Sequence, residues 1–268
     1  SQGERTNRVM AIAKSIGLQL GGEQLANQAE QAAMLAKADL VTDMVGEFPE
    51  LQGIMGRYYA QHEGLDDEVA FAIEDHYKPR FAGDELPRSL VGVCVALADK
   101  LETLAGLFKD PFALRRHALG VIRILIEKDL PLGVAHAITL SERSLPNCRA
   151  ILEVLSEFIF DRLAGYLREL GYTTQEVDAV VSQQPQHLSD TTNRLVAVRA
   201  FSILSEAPAL AAANKRVGNI LKKVEGEVKA EVNTNLFQEP AEIALNESLS
   251  QVKPIADKLF ESGDYTGS

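Results

Sequence analysis

The chain has 268 residues, 46% hydrophobic and only 6% aromatic with no tryptophan, and a formal net charge of −11. That length and apolar fraction suffice for one large or two ordinary domains. The acidic balance excludes a general nucleic-acid binder, because attraction to phosphate dominates nonspecific affinity. No run approaches the roughly 20 apolar residues of a membrane helix, and the first residues do not read as a signal peptide.

Abundant alanine and leucine with few β-branched runs predict an all-α protein. Cys94 and Cys148, in apolar or isolated settings, read as reduced thiols of a cytoplasmic protein. Residues 4–20 form an amphipathic helix whose Val9, Ile12, Ala13, Ile16 and Leu20 share a face, ended by Gly21-Gly22. An Ala-rich helix is predicted from Gln24 to Val45, with Phe48-Pro49 breaking it. A short helix over Leu51–Ala60 carries Gly53 and Gly56 for close packing. Another runs from Asp66 to Tyr77, with acids at its start where the helix dipole favours them. Lys78 to Leu90 is a loop held by Pro79, Gly83 and Pro87.

Residues 93–128 form a central pair. The first helix is apolar nearly all round and should be buried on most sides. The second starts with Asp110 as N-cap and Pro111 at the first helical position. Leu114, Ala118, Val121 and Leu125 make its inner face. Opposite lies a stripe of Arg116, Gly120, Arg123 and Glu127, where a glycine between two arginines leaves room for something to approach the backbone. Pro131 and Gly133 suggest a junction, and residues 134–147 are weakly patterned. Helices are predicted over Ile151–Leu170, Thr174–Val181, Asp190 to Leu204, Ala207–Lys223 and Pro240–Phe260. In the fourth of these, Leu210, Ala213, Val217, Ile220 and Leu221 are expected to face inward, and the last is expected to be acidic outside.

Charge is unevenly spread. Residues 39–75 hold ten acids against Arg57 alone, whereas residues 215–223 hold Lys215, Arg216, Lys222 and Lys223 with no acid. Local basic faces on an acidic body suit a protein that binds one RNA in one pose. Surface Arg and Lys are usually just solvated; Arg115, Arg116 and Arg123 stand out because they share one helix, and the four cations of 215–223 because they share one face. Among the described chemistry-bearing patterns, the chain has no Gly-rich phosphate loop, nucleophile elbow or cysteine cluster.

ALADKLETLAGLF followed by KDPFALRRHALGVIRI resembles the beta subunit of the bacterial tetrameric glycyl-tRNA synthetase, as do LVTDMVGEFPELQGIMGRYYA (40–60), HYKPRFAGDELP (76–87) and AAANKRVGNIL (211–221). One departure is that the family carries a loop rich in Gly, Pro and Lys where Phe108 here runs straight into Lys109. The chain reads as a fragment of that subunit. The resemblance implies a two-lobed helical array: residues 1–135 a degenerate HD-like domain, and 136–268 a helical linker with part of a DALR-type anticodon-binding domain. The run AAMLAKADLV (32–41) is similar to the metal-binding helix of HD phosphohydrolases, but Ala36 and Lys37 stand where His and Asp are needed, and no histidine lies near Arg5 to Arg8. Only His76 and Asp99 of the ligand set survive, so no metal is expected. Asp99, inside an apolar helix, needs a partner, with Lys37 as the candidate and Lys100 or solvent as the alternative. The family implies tRNA-Gly and an alpha subunit as partners in an alpha2-beta2 assembly, with ATP, Mg and the catalytic residues on the alpha subunit, none in this chain, and no membrane or DNA. The rival readings are a live HD phosphohydrolase acting on nucleotides and a helical scaffold that binds protein only.

Overall fold

The computed structural model describes residues 2–106, 111–143, 151–224, 226 and 232–268. Among the described residues it is 75% helical, with twelve helices and no strand, only an isolated bridge between Gly133 and His187. The chain divides into two compact units, 1–191 and 192–268.

In the first unit, α1 (Gln2–Leu35) is broken at Gly22, whose φ of 77° and ψ of −165° suit glycine alone, so the two predicted helices meet there. The second half stops at Leu35, earlier than the sequence pattern suggested. A 3-10 turn (Ala38–Val41) and the short α2 (Asp43–Glu47) follow, because the Thr42 hydroxyl caps a new helix by accepting from the Val45 amide. Then come α3 (Ile54–His62) and α4 (Asp67–Asp75), the latter capped by the Asp66 carboxylate.

α5 (Leu90–Gly106) is the axis of this unit. Every residue from Val91 to Ala105 is buried, including Asp99, Lys100, Glu102 and Thr103. It is packed by α1, α4, α6 (Pro111–Glu127), α7 (Val134–Arg143) and α8 (Ile151–Glu169). A helix enclosed on this many sides must be apolar all round, and any polar group on it needs a partner inside the protein. The weakly patterned stretch after Val134 is helical because Val134, Ala137 and Ile138 are buried against this axis. Through α7 and α8, contact carries the first unit past residue 135, the division expected between domain types, and on to residue 191. α9 (Thr174–Val181) begins at a capping box of Thr173 and Glu176. The expected cap at Asp110, the junction of Phe108 with Lys109, and Cys148 lie outside the described residues. Cys94 is buried, and burial pushes its thiol up to about 12.

In the second unit, Arg194 on α10 (Thr191–Ser202) lies over the rings of Phe260 and Tyr265, at 5.1 and 4.5 Å, fastening this helix to the end of α12 (Pro240–Glu261). The inward face expected on α11 (Ala207–Leu221) is not inward. Leu210, Val217, Ile220 and Leu221 are all about half exposed, as are Leu245, Leu249 and Val252 on α12. The helical periodicity is correct, but no described helix covers the stripe.

Candidate functional site

The four residues singled out from the HD-like pattern converge. Lys37 follows α1, His76 caps the C-terminus of α4, Asp99 projects from α5, and Ala36 is buried beside them. Lys37 Nζ lies 3.3 Å from Asp99 Oδ1 and 3.0 Å from His76 Nε2. His76 Nδ1 lies 2.6 Å from the Ile73 carbonyl. A carbonyl only accepts, so Nδ1 carries the proton and Nε2 offers its lone pair to the Lys37 ammonium. Burial, reinforced by the Lys37 charge, pushes His76 down to about 3. The imidazole is therefore neutral, and its free lone pair is already committed.

Asp99 has a second cation. Arg5, on the first turns of α1, places Nη2 3.0 Å from Asp99 Oδ1 and 2.8 Å from the Thr103 hydroxyl, and Nε 2.8 Å from Glu102 Oε2. Arg8, one turn on, donates to Glu102 Oε1 at 3.0 and 2.7 Å. Thr103 in turn donates to the Asp99 carbonyl at 2.7 Å. Burial raises the Asp99 carboxyl, but the charges of Lys37 and Arg5 outweigh it and hold its pKa below the usual range. Burial likewise lowers Lys37, with Asp99 opposing. These groups line a cavity of about 430 Å³ together with Tyr77 and His117.

The donor set does not fit a divalent metal. Among the described residues no three His, Cys, Asp or Glu side chains come together. A metal at Asp99 would have to displace two cations, and His76 could ligate it only by giving up Lys37. Lys37 and Arg5, two of the positions compared with the HD pattern in the sequence, are both cations paired with Asp99. Sequence reading offered Lys37 as the partner of Asp99, which the structure bears out, but did not name Arg5 as a second partner. The signal was the matched spacing of Arg5 with Arg8 on one helix and Asp99 with Glu102 on another.

The expected basic residues divide. Arg115 and Arg116 are exposed on α6, and Lys215, Arg216, Lys222 and Lys223 are exposed on and just beyond α11 in the second unit. Arg123 is not a surface cation: it is 8% exposed, donates Nη1 to the Asp84 carbonyl at 2.9 Å, and pairs with Glu127 at 2.6 Å. It ties the loop before α5 to α6, and burial against that loop removes it from any phosphate. What approaches Gly120 is Lys100. A Cβ at Gly120 would lie 2.6 Å from Lys100 Cε, and the ammonium beyond it donates to the carbonyls of Lys78 and His76 at 2.8 and 3.3 Å. Burial lowers Lys100 to about 8.

The family model of the glycyl-tRNA synthetase beta subunit matches residues 1–182 of the chain. The chain belongs to this family. Proteins named glycine–tRNA ligase beta subunit are similar to it along all of its length: 62% identical over 280 residues in Dechloromonas aromatica, 63% over 278 in Janthinobacterium sp., and 61% over 283 in Methylobacillus flagellatus. The chain spans about two fifths (39–40%) of the length of these relatives. As a glycyl-tRNA synthetase beta-subunit family member, it carries the charge cluster of Arg5, Lys37 and Asp99 inside the matched segment, whereas the cations of 215–223 lie beyond it. No single helix among the described residues is long and apolar enough to cross a membrane.

Proposed function

We propose that this chain is part of the beta subunit of a glycine–tRNA ligase, and that it binds and positions tRNA-Gly in the cytoplasm while an alpha subunit attaches glycine in an ATP-dependent reaction. The chain performs no chemistry itself. Its partners are the tRNA and the alpha subunit, in an alpha2-beta2 assembly, with ATP and Mg held on the alpha side. The HD-like domain is a scaffold, and the second unit contributes anticodon-binding-type helices.

The observation that carries this reading is the state of the HD-like pocket in a member of this family. Lys37 and Arg5 neutralise Asp99, so the pocket is a structural ion cluster and not a hydrolytic centre. A nucleotide phosphohydrolase would need Asp99 and His76 free for a metal. The exposed cations Lys215, Arg216, Lys222 and Lys223, with Arg115 and Arg116, then supply the attraction to phosphate that the net charge denies. The test is aminoacylation in the complete alpha–beta assembly. Replacing Lys215, Arg216, Lys222 and Lys223 with Ala should raise the KM for tRNA and spare ATP–pyrophosphate exchange. Normal KM values would overturn the RNA reading in favour of a scaffold that binds protein only.

A further inference from the structure

The most acidic stretch of the chain surrounds an apolar groove. Leu35, Ala38, Tyr59, Ala60, Leu65 and Ile73 line a cavity of about 330 Å³ between the end of α1, α3, the turn before α4 and α4 itself. Asp39, Thr42, Gly56 and Glu63 complete its lining. Next to it, the 3-10 turn and α2 leave apolar side chains in solvent: Val41 is 90% exposed, and Leu40, Met44 and Phe48 are also exposed. Exposed apolar groups clustered beside a groove mark an interaction surface more often than single ones do.

Two observations say what would sit there. Residues 39–75 carry ten acids and one base, Arg57, and that base is held 3.0 Å from Glu74. Asp43, Glu47, Glu63, Asp66 and Asp67 are all exposed; Glu63 lines the groove, and Asp43 and Asp66 follow the lining residues Thr42 and Leu65 in the chain. Asp39, 1% exposed, accepts the amides of Gly53 and Gly56 on Oδ2 at 2.6 and 3.1 Å, but its Oδ1 is buried with no hydrogen-bond donor. A field of this sign repels phosphate, and a buried carboxylate oxygen without a donor calls for an N–H or ammonium.

We propose that this groove docks a basic amphipathic segment of a protein partner, whose aliphatic side chains enter between Ala38 and Leu65 and whose flanking Lys or Arg side chains meet Asp43, Glu63 and Asp66. The inference goes beyond tRNA binding: it assigns a protein-binding face whose charge is opposite to that of the cations of 215–223. This is the helix-in-groove mode of recognition, with charge setting orientation and on-rate.

The probe is a fluorescein-labelled helical peptide of leucine and lysine with one apolar face, titrated with the 268-residue chain by anisotropy. Binding is expected, and none for the same peptide with glutamate in place of lysine. Ala38 is exposed, so Ala38→Trp blocks the groove without disturbing the core or the net charge, and should weaken binding at least tenfold. The double variant Asp43→Lys/Glu63→Lys should weaken it as much and flatten its dependence on salt. Unchanged affinity in Ala38→Trp with circular dichroism preserved, or unchanged affinity in the charge-reversal variant, would each overturn the proposal, and neither bears on aminoacylation by the basic-face variants.

Discussion

Lys37 extends its ammonium to within 3.3 Å of the Asp99 carboxylate. With Arg5 on the same oxygen, Asp99 is satisfied by the protein alone.

Removing one member of this cluster should be costly. Asp99→Ala leaves the partly buried Lys37 without its carboxylate, while Arg5 keeps only Glu102, a loss of about 3–5 kcal/mol. Lys37→Met leaves Arg5 on Asp99 and should cost less, about 1–3 kcal/mol. Urea unfolding followed by circular dichroism measures both, and the double variant should reveal a coupling of about 1–3 kcal/mol. Additive effects would show that the two side chains do not act as a pair.

His76 makes stability depend on pH. Its folded pKa of about 3 lies below the ordinary 6.5, so the unfolded chain takes up a proton between these values and the folded one does not. Stability therefore falls as pH drops from 6.5 toward 3, by about 1.4 kcal/mol per pH unit for one proton. His76→Gln removes that titration, and its stability profile between pH 6 and 4 should be shallower by about one proton. Asp99, whose pKa is also depressed, still contributes its own loss in the more acidic range in both proteins. Identical slopes would mean that the imidazole charges in the folded state.

Gly120→Ala tests the close approach of Lys100. In an exposed helix the change should gain about 1 kcal/mol of helix propensity. Here the new methyl meets Lys100 Cε and Cδ, which are held because the ammonium is bonded to two carbonyls, so a net loss of about 1–3 kcal/mol is expected. In a Lys100→Ala background the same substitution should be neutral or stabilising. A loss of equal size in both backgrounds would place the clash elsewhere.

The arginines of α6 should separate by experiment. Arg116→Ala should leave stability within about 0.5 kcal/mol and, where Arg116 meets a phosphate, reduce the salt slope of tRNA binding by about 0.7–0.9. Arg123→Ala should leave the salt slope alone and destabilise by about 1–3 kcal/mol, because the buried Asp84 carbonyl loses its donor. Chemical denaturation and filter binding at several salt concentrations distinguish the two outcomes.

The local elements were legible in the sequence because their causes are local. Gly22 ends a helix through its own φ, Thr173 and Glu176 close a capping box over one turn, and α5 had to be central because a helix apolar on all sides is stable only when enclosed. That Asp99 needed a buried partner, with Lys37 a candidate, also followed from the cost of an unpaired carboxylate. Tertiary structure alone decided the rest. Arg116 and Arg123 lie on one stripe of one helix, yet one is exposed and the other is buried against the loop before α5. Gly120 left room for something to approach the backbone, but that Lys100 is what approaches was not legible. The stripe on α11 has the spacing of a core face and lies open. Periodicity records which side chains share a face, but what that face meets depends on residues far away in the chain, and only packing brings those to it.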